Sequence, residues 1–384
     1  ALYLGSYILM LNHLIYLIVL VIYSYYIFKN HKNIILYIAI ILCIYTVSVL
    51  IFRMQTIEES AQYTFVVNKA TYKEDKVIID GSIERISVNI VLSSPYTVRP
   101  GERYVTRGDL IPLTDNTIPN TFNYRKYLMS KKTKYILYTN DIDYSSDGFS
   151  VNIISYKIND YIEKKIPLSK SYIKTFILAD KSDFDQSTIK SINTLGISHL
   201  FAVSGLHVGL LIIGSMFLLK KIGIKERNIE YFICLLLVGY MVVTSFAASI
   251  TRASLMYILL VVNERFKLGL SSIDVLSLIF IVLLINNPYI YYNVGFILSF
   301  LVTLSILMSK KILNNHTFIN QMMIVSMVSF FITLPLIINL NKQLNLYTVV
   351  FNIMFILYMS YIILPLSYIT FVFSSTDKLL YVFI

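Results

Sequence analysis

Ser204, Gly205 and His207 are the residues whose types and spacing could do chemistry, inside the run Phe176–Leu211, FILADKSDFDQSTIKSINTLGISHLFAVSGLHVGLL. On a helix Ser204 and His207 are neighbours at i, i+3. With a distant acid, Asp274, they would make a nucleophile, base and orienting group, the kit of an intramembrane hydrolase. The same residues could instead be polar groups lining a watery path. His199 lies eight residues before His207, which on one helix places the two about 80° apart, on one broad face. A polar run with Asp180, Lys181, Asp183 and Asp185 leads into this apolar segment. Polar side chains in hydrocarbon are costly unless paired or wet, so such residues are functional candidates. The competing reading of each histidine is a satisfied packing residue. Gly205 and Gly209 form a GxxxG pair, with Gly214 beyond, and their plain role is close helix packing.

Further along, Arg252 stands in Ser249-Ile-Thr-Arg252-Ala253, and Asp274 follows Ser271-Ser272-Ile273. They could pair or line the same path. Each also reads as an ordinary helix-end residue, with Ser271 or Ser272 as N-cap and Asp274 in the first turn. Ser299 puts a hydroxyl inside the apolar Gly295–Phe300. Asn287-Pro288 reads as a turn or kink. There is no HxxxH, HExxH or HxHxDH, and His13, His31 and His316 are scattered, so neither a metal nor a cofactor is expected. Cys43 and Cys234 sit in apolar runs, which leaves no CxxC site or disulfide framework.

The elements that must position these residues are those of a membrane chain. Of 384 residues 56% are hydrophobic, and the mean hydropathy is +0.67. A soluble domain is about 45–50% apolar. Tyr, present 31 times, can anchor helices at the interface, and Trp is absent. The net charge of +11 is uneven: residues 53–170 hold 17 Lys/Arg and 14 Asp/Glu, and the remaining basic excess sits mostly in short loops. That basicity reads as topology. Lys29–Lys32, Lys220–Arg227 and Lys310-Lys311 all face the cytoplasm if residues 53–170 lie outside. Apolar segments fall at 34–52, 197–219, 229–250, 253–263, 272–286, 289–309, 318–340 and 345–372, after two helices within 1–28. The topology needs four crossings between the second and third basic clusters. Residues 253–263 are too short for one, so a tilted, kinked or broken helix is expected there. The sequence opens at Ala1 and closes on apolar Tyr381–Ile384, which reads as a piece of a longer chain.

Residues 54–150 differ. Runs rich in Val, Ile, Tyr and Thr at 61–68, 76–80, 82–92, 103–110 and 133–139 read as five strands, with turns at Asp80-Gly81 and Pro100-Gly101. Such a set suits a small barrel, an OB-fold among the choices. A helix is expected from Phe122 to about Lys131, and an amphipathic helix on the membrane over 151–166. Arg99, Arg103, Arg107, Arg125 and Lys126, interleaved with Phe122, Tyr124 and Tyr127, could hold a single nucleic acid strand. Charge alone favours a solvated face instead.

Several segments in order resemble the ComEC-type competence family of bacterial DNA-uptake channels. Gly196-Ile-Ser-His199-Leu-Phe-Ala-Val-Ser204-Gly205-Leu-His207-Val-Gly209 is similar to its core signature. Ala179-Asp180-Lys181 resembles the step leading into it. Pro119-Asn120-Thr121-Phe122-Asn123-Tyr124-Arg125-Lys126-Tyr127-Leu128 resembles the family's segment after its OB-fold, with Thr121 where Gly is usual and Asn123 where Asp is usual. Ser249-x-x-Arg252-Ala253-x-x-Met256, Asp274, Asn287-Pro288 and Gly295-Phe296-x-Leu298-Ser299-Phe300 follow in family order. The resemblance implies an outer OB-fold, a polytopic competence domain and passage of one DNA strand into the cytoplasm. It also implies partners: single-stranded DNA, a DNA receptor, and an ATP-driven motor, since no GxxxxGK[ST] occurs here. Many members carry a metallo-β-lactamase-like nuclease domain. Without HxHxDH, that step is expected outside these residues, on a longer chain or a separate nuclease.

The expected fold is a polytopic α-helical membrane protein with an inserted small all-β, OB-like extracytoplasmic domain. Its parts are N-terminal transmembrane helices (1–52), the β domain (53–150), junction helices (151–195) and a transmembrane competence domain (196–384). The expected function is a channel, not an enzyme, moving single-stranded DNA across the bacterial inner membrane. His199, Ser204, Gly205, His207, Arg252, Asp274 and Ser299 would line the path. Arg99, Arg103, Arg107, Phe122, Tyr124, Arg125 and Lys126 would touch DNA. The alternatives are the Ser204/His207 hydrolase and a non-conducting DNA-binding scaffold in the lipid bilayer.

Overall fold

A computed structural model describes residues 34–384, apart from 74–75, 94–95, 117–121, 202, 315 and 342–347. The helices expected within 1–28, the Lys29–Lys32 turn, His13, His31 and Pro119–Thr121 lie outside the described residues. The chain forms two units. One comprises residues 158–279 and 295–384, and the other the described part of 24–157 together with 280–294.

The second unit opens with helix α1 (Ile34–Met54) and is built on a seven-stranded sheet. Its strands are β1 (Tyr63–Lys73), β2 (Lys76–Ile83), β3 (Ile86–Leu92), β4 (Glu102–Thr106), β5 (Asp109–Pro112), β6 (Tyr135–Thr139) and β7 (Ile142–Asp147). They hydrogen-bond in the order β5-β6-β3-β2-β1-β4-β7. Every pairing is antiparallel except β3 with β6, which is parallel. Alternation along β2 and β3 sends Val77, Ile79, Ile83, Val88, Ile90 and Leu92 into a core shared with Phe65, Val67 and Leu137.

Two strand boundaries depart from expectation for steric reasons. Asp80-Gly81 is not a turn but the middle of β2, opposite a bulge at Val67–Lys69. Glycine stands there for room: a Cβ on Gly81 would lie 2.9 Å from both the Val66 carbonyl oxygen and Ile90 Cδ1. The real hairpin turn is Glu84-Arg85, with φ 48° and 70°, which divides the expected single strand 82–92. Positive φ at both central residues is the geometry that matches strand twist in a two-residue hairpin. The expected strand 103–110 likewise divides into β4 and β5. Gly108 lies in that break, where a Cβ would run into the Tyr138 carbonyl. Pro100-Gly101 is a turn as expected, with Gly101 at φ 97°.

Helix α2 (Tyr124–Ser130) falls within the expected 122–131, capped by Asn123, whose side chain accepts from Lys126 N–H at 2.9 Å. Within this unit α2 holds the segment after Ile285. Asn287 Nδ2 donates to the Ser130 carbonyl at 2.7 Å, and Lys132 Nζ to Asn286 Oδ1 at 3.0 Å. On α1, Tyr45 donates to the Pro288 carbonyl at 3.2 Å. So Asn287-Pro288 is a docked turn.

The other unit is helical. Helix α3 (Ile153–Lys165), within the expected 151–166, crosses from one unit to the other along the chain. Then come α4 (Lys170–Ile173), a π turn (Lys174–Leu178), α5 (Gln186–Thr194), α6 (Ser198–Phe201), α7 (Gly205–Lys221), α8 (Glu226–Val243) and α9 (Ala248–Phe266). Next are α10 (Ser272–Asn286), α11 (Val294–Met308), α12 (Lys310–Leu313) and α13 (Phe318–Asn341). Helix α14 (Thr348–Tyr358) runs through a π turn into α15 (Leu364–Val372), and α16 (Asp377–Phe383) follows. Two stretches, Asn320–Ile338 and Met354–Val372, are long and apolar enough to cross a membrane, with Ile41–Met54, Ser272–Asn286 and Val294–Met308 shorter apolar helices. The segment read as too short, 253–263, belongs to a 19-residue helix, because α9 begins at Ala248. The break comes earlier than expected, where Ser245 and Phe246 adopt φ 51° and 56° and end α8.

The junction is held by charge. Lys174, 4% exposed, meets Asp183 at 2.8 Å and also pairs with Glu163 of α3. Burial works against the Lys174 charge, but hydrogen bonds to Asp183 and Glu163 outweigh it and raise its pKa. The Lys174 hydrogen bond holds Glu163 below its ordinary value. Asp377 at the start of α16 accepts the Leu168 and Ser169 N–H groups, each at 3.0 Å.

Gly81→Ala should lower stability by about 1–3 kcal/mol, read as a lower melting temperature of the full chain in detergent; an unchanged melt would show that β1 and β3 can move apart there. A lowered carboxyl pKa stabilises above its ordinary value and loses that contribution as pH falls; a raised lysine loses its contribution only as pH rises past its folded value. The junction should therefore be intact from about pH 5 to pH 10 and weaken on the acid side. Glu163→Gln should make the melting temperature flatter in acid than the parent's, and identical acid limbs would exclude the pair as a pH-sensitive brace.

Candidate functional site

The site begins at the break between α6 and α7. Ser204 is extended, with φ −131° and ψ 179°, and is the N-cap of α7. Its Oγ accepts from Leu206 N–H at 3.3 Å, while its own N–H donates to His207 Nδ1 at 3.2 Å. This is a reciprocal capping box with histidine in the place of the usual Glu or Gln. Ser204 Oγ also lies 3.4 Å from His207 Nδ1. An Nδ1 that accepts leaves the ring proton on Nε2. His207 is fully buried, and its Nε2 has no partner among the described residues. The ring lies 5.4 Å from that of Phe176, whose carbonyl accepts from Tyr240 at 2.8 Å, and Tyr368 donates to the His207 carbonyl at 3.4 Å.

His199 does not share a helix face with His207, because extended Ser204 separates α7 from α6, on which His199 lies. Gly205 and His207 are two residues apart, roughly 200° around α7. They therefore look in nearly opposite directions.

Gly205 looks toward α9. A Cβ there would lie 3.3 Å from Arg252 Nη2 and 3.9 Å from Ala253 Cβ. Arg252 is 8% exposed. Its Nη1 donates to Thr303 Oγ1 of α11, and Thr303 in turn donates to the Ser299 carbonyl at 2.8 Å. Arg252 Nε is buried without a partner, as are Thr251 Oγ1 and Ser254 Oγ on the same helix. Among the described residues no carboxylate pairs with Arg252. The Arg252–Asp274 pair weighed from sequence is not formed. Asp274 Oδ2 accepts from Ser271 N–H at 2.8 Å, and Ser271 Oγ accepts from Asp274 N–H at 3.2 Å, so Asp274 caps α10.

Three helices thus bring Gly205, Arg252 and Ser299 to one place through Thr303. Ser204 and His207 form a second polar spot on the other side of α7, while His199 and Asp274 belong to neither. Thr303, Thr251 and Ser254 escaped the sequence reading. Their signal was a hydroxyl one turn after Ser299 and two flanking Arg252 in an apolar helix.

In the β unit, Phe122, 71% exposed, lies 5.6 Å from Tyr127, which stacks on Tyr124 at 6.1 Å between ring centres. Lys131 sits over Tyr127 at 4.9 Å and Lys126 over Tyr292 at 5.5 Å. Arg125 pairs with Asp115, and Tyr124 donates to Asn89 Oδ1 of β3 at 3.2 Å. Phe122 and Tyr124 therefore share one aromatic cluster with Tyr127, covered by Lys131, while Arg125 turns to Asp115 and Lys126 to Tyr292. Arg99, Arg103 and Arg107 belong to β4 and its flanking turns, with β1 and β2 between β4 and the strand that Tyr124 touches.

Ser204→Ala removes the capping oxygen of α7 and should cost about 0.5–2 kcal/mol. Thermal melting of the full chain reads this, and a neutral result would mean that the His207 half of the box suffices.

The chain is 27% identical to ComE operon protein 3 of Bacillus subtilis over 274 residues, 70% of this chain and 35% of that protein. It is 29% identical to the uncharacterized protein MG316 of Mycoplasma genitalium over 187 residues, 48% of this chain and 47% of the relative. The chain thus spans less than half the length of these curated relatives. No solved structure matches it. Residues 176–384, which contain α5 to α16 and every residue of the two polar spots, match the profile of the competence proteins. By that match over more than half its length, the chain belongs to the Competence protein family.

Proposed function

We propose that the chain is a polytopic membrane channel that passes one strand of DNA into the cell during natural transformation. One observation carries this reading: hydrogen-bonding groups on α7 and α9 are buried among apolar helices with part of their capacity unspent. Arg252 Nε, Thr251 Oγ1, Ser254 Oγ and His207 Nε2 are the groups concerned. Groups so placed are costly unless something polar meets them. A conduit for a polyanion needs a few donors and little fixed positive charge, since dense rings of Arg would trap the strand. Family membership supports a role in DNA uptake.

The remaining parts follow from that reading. The β unit is an OB-like outer domain, and the aromatic and basic patch on α2 receives the strand. The DNA receptor, the ATP-driven motor and the nuclease step are other components of the uptake machinery. The chain acts as a transporter, not a hydrolase: the Ser204–His207 contact is a helix cap, and His207 Nδ1 already serves a main-chain N–H.

Cells carrying Arg252→Ala or His207→Ala, at matched protein levels, should bind labelled DNA at the surface yet internalise at least about tenfold less of it. Normal internalisation in both would remove these residues from the path. Loss of surface binding as well would favour a receptor or scaffold.

A further inference from the structure

Along its Nε–Nη2 edge arginine can grip an oxyanion with two parallel N–H bonds. In Arg252 the Nη1 end is committed to Thr303 Oγ1, while Nε is buried and unpaired. Nη2 completes the open edge and lies against Gly205, the first residue of α7. At the start of that 17-residue helix Ser204 Oγ takes the Leu206 N–H, and the helix's partial positive charge favours an anion. Burial excludes water, so a cation here needs an anion more than one at the surface does. Among the described residues the protein supplies none.

We infer that Arg252 Nε and Nη2, with the N-terminus of α7 at Gly205, form a seat for a single phosphate group. This rests on the channel reading for the identity of its occupant, a phosphodiester of the passing strand, but the seat itself requires only phosphate chemistry. It recognises charge and shape, not bases. Thr303 is a positioning residue that turns the open edge of the guanidinium toward Gly205. Gly205 sets the room, since even one methyl group would press on Nη2 at 3.3 Å.

The test uses the full chain in a neutral maltoside detergent, titrated with inorganic phosphate against chloride at constant ionic strength. Phosphate should raise the melting temperature saturably and shift the nitrogen-15 signal of Arg252 Nε, and chloride should do neither. Arg252→Gln should weaken phosphate binding at least about tenfold, with Arg252→Lys intermediate because an ammonium keeps the charge but lacks the fork. On the unaltered chain, a short single-stranded oligonucleotide should compete with phosphate, and its uncharged methylphosphonate counterpart should not. If phosphatidylglycerol competes and the oligonucleotide does not, the seat stands, its occupant is a lipid headgroup, and the channel reading fails at this point. No phosphate response in the unaltered chain, or an equal response in Arg252→Gln, overturns the seat and leaves the channel reading to the uptake measurement.

Discussion

A guanidinium held among apolar helices must be answered by something polar, and in this chain a single threonine hydroxyl gives part of the answer. The arrangement of α7, α9 and α11 follows from that demand. Helix α9 starts early enough, at Ala248, to carry Arg252 within its second turn. Helix α11 turns Thr303 toward it, with Ser299 one turn earlier accepting the Thr303 proton. Helix α7 presents its first residue, Gly205, which has no side chain, where the guanidinium lies. Replace Thr303 and the guanidinium loses its hydroxyl partner, which in a low-dielectric setting costs more than the contact itself contributes.

The second organising feature is the helix break. Two apolar segments that could have been continuous helices are interrupted, after Phe201 and after Val243. Each break restarts a helix beside polar groups. At the first, Ser204 and His207 satisfy each other's neighbouring main chain, so the interruption costs little hydrogen bonding. At the second, Ser245 and Phe246 take left-handed backbone conformations without glycine, and the N-cap of α9 is Ala247. A broken helix at membrane depth is tolerated where it lines a cavity or is covered by protein.

Much of this was legible in the sequence where one residue type has one physical use. The hydroxyl and imidazole of Ser204 and His207, the charge of Arg252, and the Pro100-Gly101 turn all stand out as types. The strand content of 54–150 was legible through β-branched alternation. What stayed hidden depended on neighbours far along the chain. Asp80-Gly81 looks like a turn because its usual meaning is local, yet Gly81 answers to Val66 and Ile90 across the sheet. Glu84-Arg85 does not look like a hairpin turn at all. The break at Val203-Ser204 could not be seen because Val-Ser is compatible with helix, so the histidines seemed to share a face. Asp274 was read two ways, and its local use as a cap prevailed over a distant pairing. Thr303 has meaning only once α11 lies against α9.

Asp377 takes the main-chain N–H groups of Leu168 and Ser169, some two hundred residues earlier in the chain. A ribosome therefore releases the whole stretch between them before this tie can close. Until then, the turn ahead of α4 has open donors and the buried Ile162, Ile166 and Ile173 lack Leu380 as a neighbour. Closure of the helical unit is thus a late event of high sequence separation, slow by loop entropy. The nascent unit must wait, partly assembled, for helix α16 to arrive.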